Sequence, residues 1–142
     1  MDADAGSDPV RVLDPEECWR LLRSAPMGRI ALAAGGEVDI FPINFAVDGQ
    51  TIYFRTAPGT KLLELTVRDT VALEIDGWDD DHAYSVVVKA RAHELQHGTE
   101  IEAAERLGLA PWVPTLKYRW VRIEPDSVSG RWFPRAPEPE RD

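Results

Sequence analysis

Four side chains suited to binding phosphate lie close together in the middle of the chain. Arg55 and Thr56 end an alternating stretch, and Thr60 and Lys61 follow a turn that contains Gly59. A guanidinium fork, an ammonium group and two hydroxyls can satisfy the acceptor oxygens of a phosphomonoester. A glycine turn that leads into a helix adds unpaired backbone N–H groups at the helix N-terminus. The sequence therefore predicts a phosphate site at this turn, which we call the phosphate trap.

Each of these residues also has an ordinary structural interpretation. Arg55 could be a solvated strand residue, Thr60 a helix cap and Lys61 a surface charge. The clustering of two cations and two hydroxyls in one short stretch of an acidic chain favours the phosphate site.

The elements that must position the trap are a strand and a helix. Ile52 and Phe54 alternate with polar neighbours, which is typical of a strand buried on one face. Leu62, Leu63 and Leu65 then follow a helical period. We expect the trap to lie where the strand ends and the helix begins.

Composition limits the classes of function. The chain has 142 residues, 44% of them hydrophobic, which suits one domain with a substantial core. Its formal net charge of −9 argues against nucleic-acid binding.

Cys18 is the only cysteine in the sequence, which excludes an intrachain disulfide. We expect its thiol to be buried and inert. The sequence shows no long apolar run or signal peptide, so we expect a cytoplasmic protein with no membrane partner.

The rest of the chain predicts mainly strands. A helix starts at Asp14, where Pro15 and Glu17 complete a capping box, and a second starts near Thr99. Six strands joined mostly by tight turns predict an antiparallel β-barrel with peripheral helices. The predicted strands cover residues 27–33, 37–47, 51–56, 70–76, 84–95 and 117–123, with a further turn and short strand within 125–133. We expect a flexible lead-in over residues 1–12, one folded domain over 13–133 and a disordered tail over 134–142.

The second predicted strand contains an irregularity. The apolar positions change parity between Ile40 and Ile43, and Pro42 cannot donate a ladder hydrogen bond. A bulge or a sheet edge at this point would expose backbone groups that can pair with a planar ligand. Asn44 adds a side-chain amide nearby, although a lone asparagine is more typical of a strand or turn contact.

The sequence offers no motif for a catalytic acid, base or nucleophile, and no metal site. His93 and His97 are four residues apart, but they straddle the predicted end of a strand rather than one helical face. His82, in the acidic loop 77–82, could donate a proton to a reduced product. A solvated loop histidine is the more ordinary interpretation.

The order of these motifs resembles that of the pyridoxamine 5′-phosphate oxidase-like flavin-binding split barrels. The resemblance rests on segments 27–31, 41–45 and 52–56, on Gly59-Thr60-Lys61 and on segment 85–88, and it covers residues 13–133. Its most specific part is Phe-Arg-Thr followed by Gly-Thr-Lys. Within the family the chain resembles the small actinobacterial-type and nitroimidazole-reductase-like members more than the vitamin-salvage oxidase.

The resemblance implies a six-stranded split barrel, and a homodimer with two FMN sites at the subunit interface. By position, the FMN phosphate would be held by Arg55, Thr56, Thr60 and Lys61. The isoalloxazine ring would lie along Pro42, Ile43, Asn44 and Phe45, and Ser85 would contact the flavin. Arg131 and Trp132 would reach the partner's flavin site, or instead close the barrel and pack at the interface.

The implied function is an FMN-dependent oxidoreductase that transfers hydride from a nicotinamide donor to a small organic acceptor. The vitamin-salvage oxidases end in an Arg-rich segment with Leu-x-Pro, and the chain lacks it, so synthesis of pyridoxal phosphate is disfavoured. One alternative is a reductase that uses a deazaflavin (coenzyme F420), whose acidic tail Arg29, Lys89 and Arg91 would bind. A second is a non-catalytic flavin carrier or sensor. A haem-binding relative is disfavoured because no axial histidine can be named.

Overall fold

The computed structural model describes residues 10–66, 70–109 and 118–135. Its first helix, α1 (Pro15–Ser24), begins as the sequence predicts. The Asp14 carboxylate accepts the Glu17 N–H at 2.9 Å, and the Glu17 carboxylate accepts the Asp14 N–H at 3.4 Å. These two bonds form the predicted capping box. The helix buries the side chains of Cys18, Trp19 and Leu22, and the burial of Cys18 is as expected.

One antiparallel sheet contains eight strands in the described part of the chain. They are β1 (Arg11–Val12), β2 (Gly28–Ala34), β3 (Glu37–Ile43), β4 (Ala46–Asp48), β5 (Thr51–Thr56), β6 (Thr70–Trp78), β7 (His82–Glu94) and β8 (Arg119–Pro134). Their order is β3-β2-β6-β7-β8-β5-β4, and β1 also pairs with β8. The mainly β class and the antiparallel split-barrel type are confirmed; β1 is a short strand beyond the six expected, and β4 arises because the second predicted strand is divided.

The helices α2 (Lys61–Thr66) and α3 (Gly98–Glu105) complete the described elements. The predicted capping at Thr99 is wrong, because α3 begins one residue earlier and His97 occupies its N-cap without a side-chain hydrogen bond. Across the described ranges, no helix has the length and apolar character needed to cross a bilayer.

The core lies inside the curved sheet, beneath α1. Ile52 and Phe54 of β5, Val86 and Val88 of β7 and Ile123 of β8 are fully buried there. A smaller cluster of Leu95, Ala104 and Trp120 packs beneath α3 on the other side of the sheet. Strand β5 therefore contacts a different apolar cluster on each face, as the alternation of its residues requires.

Two predicted strands have different boundaries in the structure. The stretch 37–47 divides into β3 and β4, because Asn44 and Phe45 leave the ladder and Phe45 turns into the core. The residues predicted as a strand, a turn and a short strand after position 117 instead form the continuous β8. Pro125 pairs with Ala90 there, and a register shift opposite Lys89 and Ala90 accommodates the extra residue. Proline and glycine in this stretch look like turn residues but occupy a bulged strand.

Both ends of the described chain contribute to the fold. Arg11 and Val12, which the sequence places in the lead-in, pair with Trp132 and Arg131. Pro134 ends β8, and the Arg135 N–H donates to the Asp81 carbonyl at 2.6 Å. The predicted disorder is therefore wrong for Pro134 and Arg135. Pro134 lies in β8, and Arg135 is hydrogen-bonded to the turn after β6. The other predicted terminal residues, 1–9 and 136–142, lie outside the described ranges.

Candidate functional site

The two hydroxyls of the phosphate trap meet where β5 ends and α2 begins. Thr56 Oγ1 lies 3.1 Å from Thr60 Oγ1, and the Thr60 hydroxyl accepts the Leu63 N–H at 3.2 Å. Gly59 has a φ of +76°, a conformation that few other residues adopt, so it allows the tight turn between them. The structure thus brings Thr56 and Thr60 together, and Thr60 also acts as a helix cap.

Lys61 points from the same turn toward the β2–β3 hairpin. Its ammonium lies 3.2 Å from the Asp39 carboxylate, and its side chain is 57% exposed. An exposed ion pair of this kind contributes little to stability and is easily exchanged for another anion. Lys61 is thus positioned to exchange Asp39 for a ligand phosphate.

Arg55 lies on the opposite face of β5 from Thr56. Its guanidinium donates to the Leu109 carbonyl, lies 3.8 Å from the Glu105 carboxylate and stacks 4.3 Å from the Tyr118 ring centroid. Its side chain is only 12% exposed. In the described contacts Arg55 therefore ties α3 and its following turn to the sheet, and it does not join the two threonines and Lys61.

The segment predicted to lie along a planar ring runs from the end of β3 to the start of β4. Pro42 is exposed and pairs with Arg29, whereas Ile43 and Phe45 are buried. Strand β3 is an edge of the sheet, as the proline predicts. A Cβ on Gly28 would lie 2.8 Å from the Glu74 carbonyl and 3.2 Å from the Phe45 ring. Glycine at position 28 therefore allows Phe45 to pack closely at the point where β3 ends.

Ser85, Arg131 and Trp132 lie together at the other end of the sheet. Ser85 pairs with Arg131, and Trp132 pairs with Tyr84 on the same two strands. Thr56 instead pairs with Arg119, the first residue of β8. The predicted site residues thus form separate groups, at opposite ends of β8 and at the β3 edge.

The outer face of β2, β3 and β6 carries an exposed apolar patch, which we call the outer patch. Val38 and Ile40 are 69% and 64% exposed, and they lie opposite Ala33 and Ala31 of β2. Shallow cavities of about 300 and 410 Å³ open on this face. Apolar patches of this kind mark interaction surfaces.

Charged side chains border the outer patch in pairs. Arg29 lies 2.8 Å from Glu74 and 3.2 Å from Asp76. Burial raises the pKa of the Glu74 carboxyl, and a hydrogen bond with Asp76 adds to this effect, while the bond from Arg29 opposes it. Arg91 similarly lies between Glu124 and Asp126. Two of the three cations that a deazaflavin tail would require are thus already paired with carboxylates.

A deeper cavity lies between α1 and the turn that joins β6 to β7. It measures about 440 Å³, and we call it the aromatic cleft. The rings of His82 and Trp132 stack with centroids 4.6 Å apart, and the Arg11 guanidinium lies 5.0 Å from the Trp132 ring centroid. The lining residues are Arg11, Leu13, Glu17, Arg20, Leu21, Gly77, Trp78, Asp79, His82, Tyr84 and Trp132.

The sequence indicated only part of this cleft. It singles out His82 and Trp132, but it gives no reason to single out Arg11 and Arg20. They come from β1 and α1, and only the closure of the sheet brings them opposite the β6–β7 turn. No local spacing in the sequence signals that approach.

A tight turn forms the rim of the cleft. The Asp79 carboxylate accepts the N–H groups of Asp81 and His82 at 2.8 and 2.7 Å. These two hydrogen bonds lower the pKa of the Asp79 carboxyl, because they favour its charged form. His82 Nδ1 lies 3.8 Å from the same carboxylate.

Other reactive groups are placed away from the candidate sites. Cys18 is fully buried beside Gly130, and burial raises the pKa of its thiol, as do the Asp14 and Glu17 carboxylates. Within the described residues, no group of three or more histidine, cysteine or acidic side chains is arranged to hold a metal ion.

Comparisons with known proteins give close matches over nearly the whole described chain. A candidate pyridoxamine 5′-phosphate oxidase from Corynebacterium glutamicum is 43% identical, with a TM-score of 0.85 over 92% of this chain and 98% of that chain. The FAD-binding protein of Mycobacterium smegmatis is 38% identical, with a TM-score of 0.82 over 89% of this chain and 100% of that chain. An uncharacterised protein of Mycobacterium tuberculosis is 42% identical over 67% of this chain and 86% of its own length.

The family model for pyridoxamine 5′-phosphate oxidase matches residues 14–132. That range begins at the N-cap of α1 and ends within β8, so it spans the complete sheet apart from β1 and the last residues of β8. The chain belongs to the pyridoxamine 5′-phosphate oxidase family.

Proposed function

We propose that the protein binds a flavin nucleotide and acts as a flavin-dependent oxidoreductase on a small organic substrate. The observation that carries this proposal is the match to the FAD-binding protein of Mycobacterium smegmatis, at 38% identity over all of that chain. A match of this extent supports a shared fold for the elements that carry the trap and the β3 edge. Family membership alone gives the fold, and the proposal for the cofactor rests on this relative.

The residues of the trap fit the phosphate of a flavin. Thr56 and Thr60 offer two hydroxyls at 3.1 Å from each other, and Lys61 offers an ammonium whose only partner in the described chain is Asp39. Hydroxyls and an exchangeable ammonium suit a dianionic phosphate at a protein surface. Arg55 fits this role less well, because Leu109, Glu105 and the Tyr118 ring already surround its guanidinium.

Residues at the β3 edge are proposed to bind the ring. Pro42 is exposed on β3, which has no neighbouring strand on its outer side in the described sheet. Phe45, just after the end of β3, is buried and packs closely against Gly28. Backbone groups at such an edge can hydrogen-bond the polar edge of an isoalloxazine. A bound flavin supplies hydride transfer, and the chain's part is to fix the ring and to exclude water from it.

We further propose that two copies of the chain complete each site. The trap and the Ser85–Arg131 pair lie at opposite ends of β8, which supports contributions from different copies to one flavin. The outer patch, with Val38 and Ile40 exposed, is the surface that a second copy would cover. Arg131 and Trp132 would then reach the partner's flavin from the end of β8.

Identification of the cofactor tests the central proposal. We expect the purified protein to be yellow and to release FMN or FAD on denaturation, identified by chromatography and mass spectrometry. FMN is our sequence-based prediction, whereas FAD is favoured by the name of the Mycobacterium smegmatis relative. A protein that retains neither FMN nor FAD after incubation with both flavins would contradict flavin binding. A protein that retains only a deazaflavin would show that the deazaflavin is its cofactor.

Turnover is tested separately from binding. The flavin-loaded protein should oxidise NADH or NADPH in the presence of a quinone or nitroaromatic acceptor, followed at the nicotinamide absorbance band. Free flavin at equal concentration is the control. A loaded protein no faster than free flavin with any donor would favour the carrier or sensor alternative.

The shared site is tested by breaking the interface. Ile40→Asp places a charge in the outer patch, and Val10→Asp places the same charge on an apolar residue outside it. We expect Ile40→Asp alone to convert a dimer to a monomer in light scattering and to lose flavin. A dimer that persists with full flavin content would contradict this interface.

A further inference from the structure

The aromatic cleft lies at the end of β8 that also carries Ser85 and Arg131, and Trp132 is the one lining residue that is also proposed to bind flavin. We propose that the cleft binds a second ligand, a small planar aromatic carboxylate. Its volume of about 440 Å³ falls within the range of protein sites for small molecules. This inference does not depend on flavin being bound, and the third test asks whether the cleft and the flavin site are separate.

The walls of the cleft suit a flat ring. His82 and Trp132 form a stacked pair with an interplanar angle of 29°, and Tyr84 pairs with Trp132 on the neighbouring strand. Aromatic side chains bind planar rings by stacking and edge contacts, and they lose little conformational freedom in doing so. A saturated ring of the same size has no such face to offer.

Gly77 shapes the floor of the cleft. A Cβ at this position would lie 2.7 to 2.9 Å from three atoms of the Tyr84 ring, which is closer than real contacts allow. Glycine therefore lets the Tyr84 ring lie directly against the β6 backbone. This arrangement keeps the ring out of the cavity and preserves its open volume.

The positive side chains of the cleft lie on its α1 wall. Arg11 and Arg20 share one carboxylate, that of Glu17, at 3.5 and 4.0 Å, and their side chains are 53% and 71% exposed. Glu17 also closes the capping box of α1. Two guanidiniums with one carboxylate leave a positive surplus on the α1 side, which can accept an anion.

The opposite wall carries no such surplus. The Asp79 carboxylate accepts two backbone N–H groups within its own turn, and it faces His82. We therefore place the carboxylate of the ligand near Arg20 and its ring near His82 and Tyr84. Charge complementarity and ring stacking together select an aryl carboxylate over a neutral arene or an aliphatic acid.

The first test compares two probes by calorimetry on the full chain with its cofactor as purified. Naphthalene-2-carboxylate should bind with one site per chain, and decahydronaphthalene-2-carboxylate should bind at least about fivefold more weakly. Equal affinity for the two acids would contradict a stacking site. No heat and no change in tryptophan fluorescence at millimolar naphthalene-2-carboxylate would overturn the proposal altogether.

The second test uses matched charge reversals on α1. Arg20→Glu should weaken the binding of naphthalene-2-carboxylate by about tenfold, because it removes a charge-assisted contact. Arg23→Glu makes the same change in net charge one turn along the helix, outside the cleft, and should have little effect. Equal losses in the two variants would show only a general effect of charge and would overturn the site.

The third test separates the cleft from the flavin site. Tyr84→Leu should weaken naphthalene-2-carboxylate binding, whereas Phe133→Leu, an exposed aromatic outside the cleft, should not, with melting temperatures confirming that both variants fold. Arg20→Glu should retain the flavin content of the unmodified chain. Loss of flavin in Arg20→Glu, or abolition of naphthalene-2-carboxylate binding by saturating FMN, would show that the cleft is part of the flavin site and would overturn a separate ligand.

Discussion

The regions at the two ends of β8 differ in how far apart their residues lie in the sequence. At its start, the phosphate trap comes from one contiguous stretch, in which Thr56 and Thr60 are four residues apart and touch at 3.1 Å. At its end, the aromatic cleft takes residues from β1, α1, β6, β7 and β8. The trap therefore leaves a motif that can be recognised in the sequence, whereas the cleft exists only after the sheet has assembled.

The difference extends to how each region is stabilised. The trap is held by a short turn, by the hydroxyl contacts of Thr60 and by an exposed ion pair between Lys61 and Asp39. The cleft end is held by close packing, since Gly130 allows Cys18 of α1 to approach β8. Changes at the trap should therefore alter flavin affinity, and changes to the packing between α1 and β8 should alter stability.

The largest expected effect is at the cleft end. A Cβ at position 130 would lie 2.7 Å from Cys18 Sγ and 3.0 Å from Leu13 Cδ1. We expect Gly130→Ala to lower the free energy of unfolding by about 1–3 kcal/mol, because α1 must move away from the sheet. Denaturant titration measures this loss. Gly98→Ala, where nothing lies within 4 Å, is the control and should be nearly neutral. Equal stability of the two variants would refute the close-packing explanation.

A smaller loss of stability is expected at Arg55. Arg55→Ala removes the bond to the Leu109 carbonyl and the contact with the Tyr118 ring, so we expect a loss of about 1–2 kcal/mol. Flavin affinity of the folded variant should be unchanged, measured by titration at a temperature well below melting. Weaker flavin binding without a change in stability would show that Arg55 binds the phosphate, as the sequence predicts.

At Lys61 the expected effect is on affinity alone. Lys61→Ala should reduce flavin affinity by about tenfold, because one charge-assisted phosphate contact is lost, with little change in melting temperature. Asp39→Asn removes the competing carboxylate and should leave affinity equal or higher. If both variants bind flavin as the unmodified chain does, the phosphate lies elsewhere.

The smallest effect is expected at the rim of the cleft and depends on pH. The Asp81 and His82 N–H groups lower the pKa of the Asp79 carboxyl in the folded chain. The resulting stabilisation is present above the ordinary carboxyl pKa and is lost as pH falls through the folded value. Asp79→Ala should therefore lower the melting temperature at pH 7, and the difference should shrink below about pH 4. A constant difference from neutral to acidic pH would contradict this assignment.

Much of the fold could be predicted because its signals are local. The Asp14–Glu17 capping box fixes the start of α1, and alternation in β5 correctly identifies Ile52 and Phe54 as core. The continuous β8 could not be predicted, because Pro125 and Gly130 are turn formers in most contexts. In this fold a register shift opposite Lys89 accommodates Pro125, and Cys18 fills the space above Gly130.

For the candidate site, the sequence predicted which residues lie near one another better than it predicted which face of the strand their side chains occupy. Thr56 and Thr60 meet as expected, but Arg55 faces α3 instead of the trap. Alternation along β5 already places neighbouring side chains on opposite faces, so this difference could have been noticed. The pairing of Lys61 with Asp39 depends on how α2 folds back over the β2–β3 hairpin, which no spacing in the sequence reveals.

The position of β8 also has a consequence for biosynthesis. It is the last of the described strands, and it pairs with β1, β5 and β7. The β2–β3 and β6–β7 hairpins can form as soon as the ribosome releases them, because their partners are near in sequence. The chain must nevertheless keep β1 and one edge of each of β5 and β7 unpaired until β8 emerges. During translation those edges are where a chaperone would bind and where aggregation would begin.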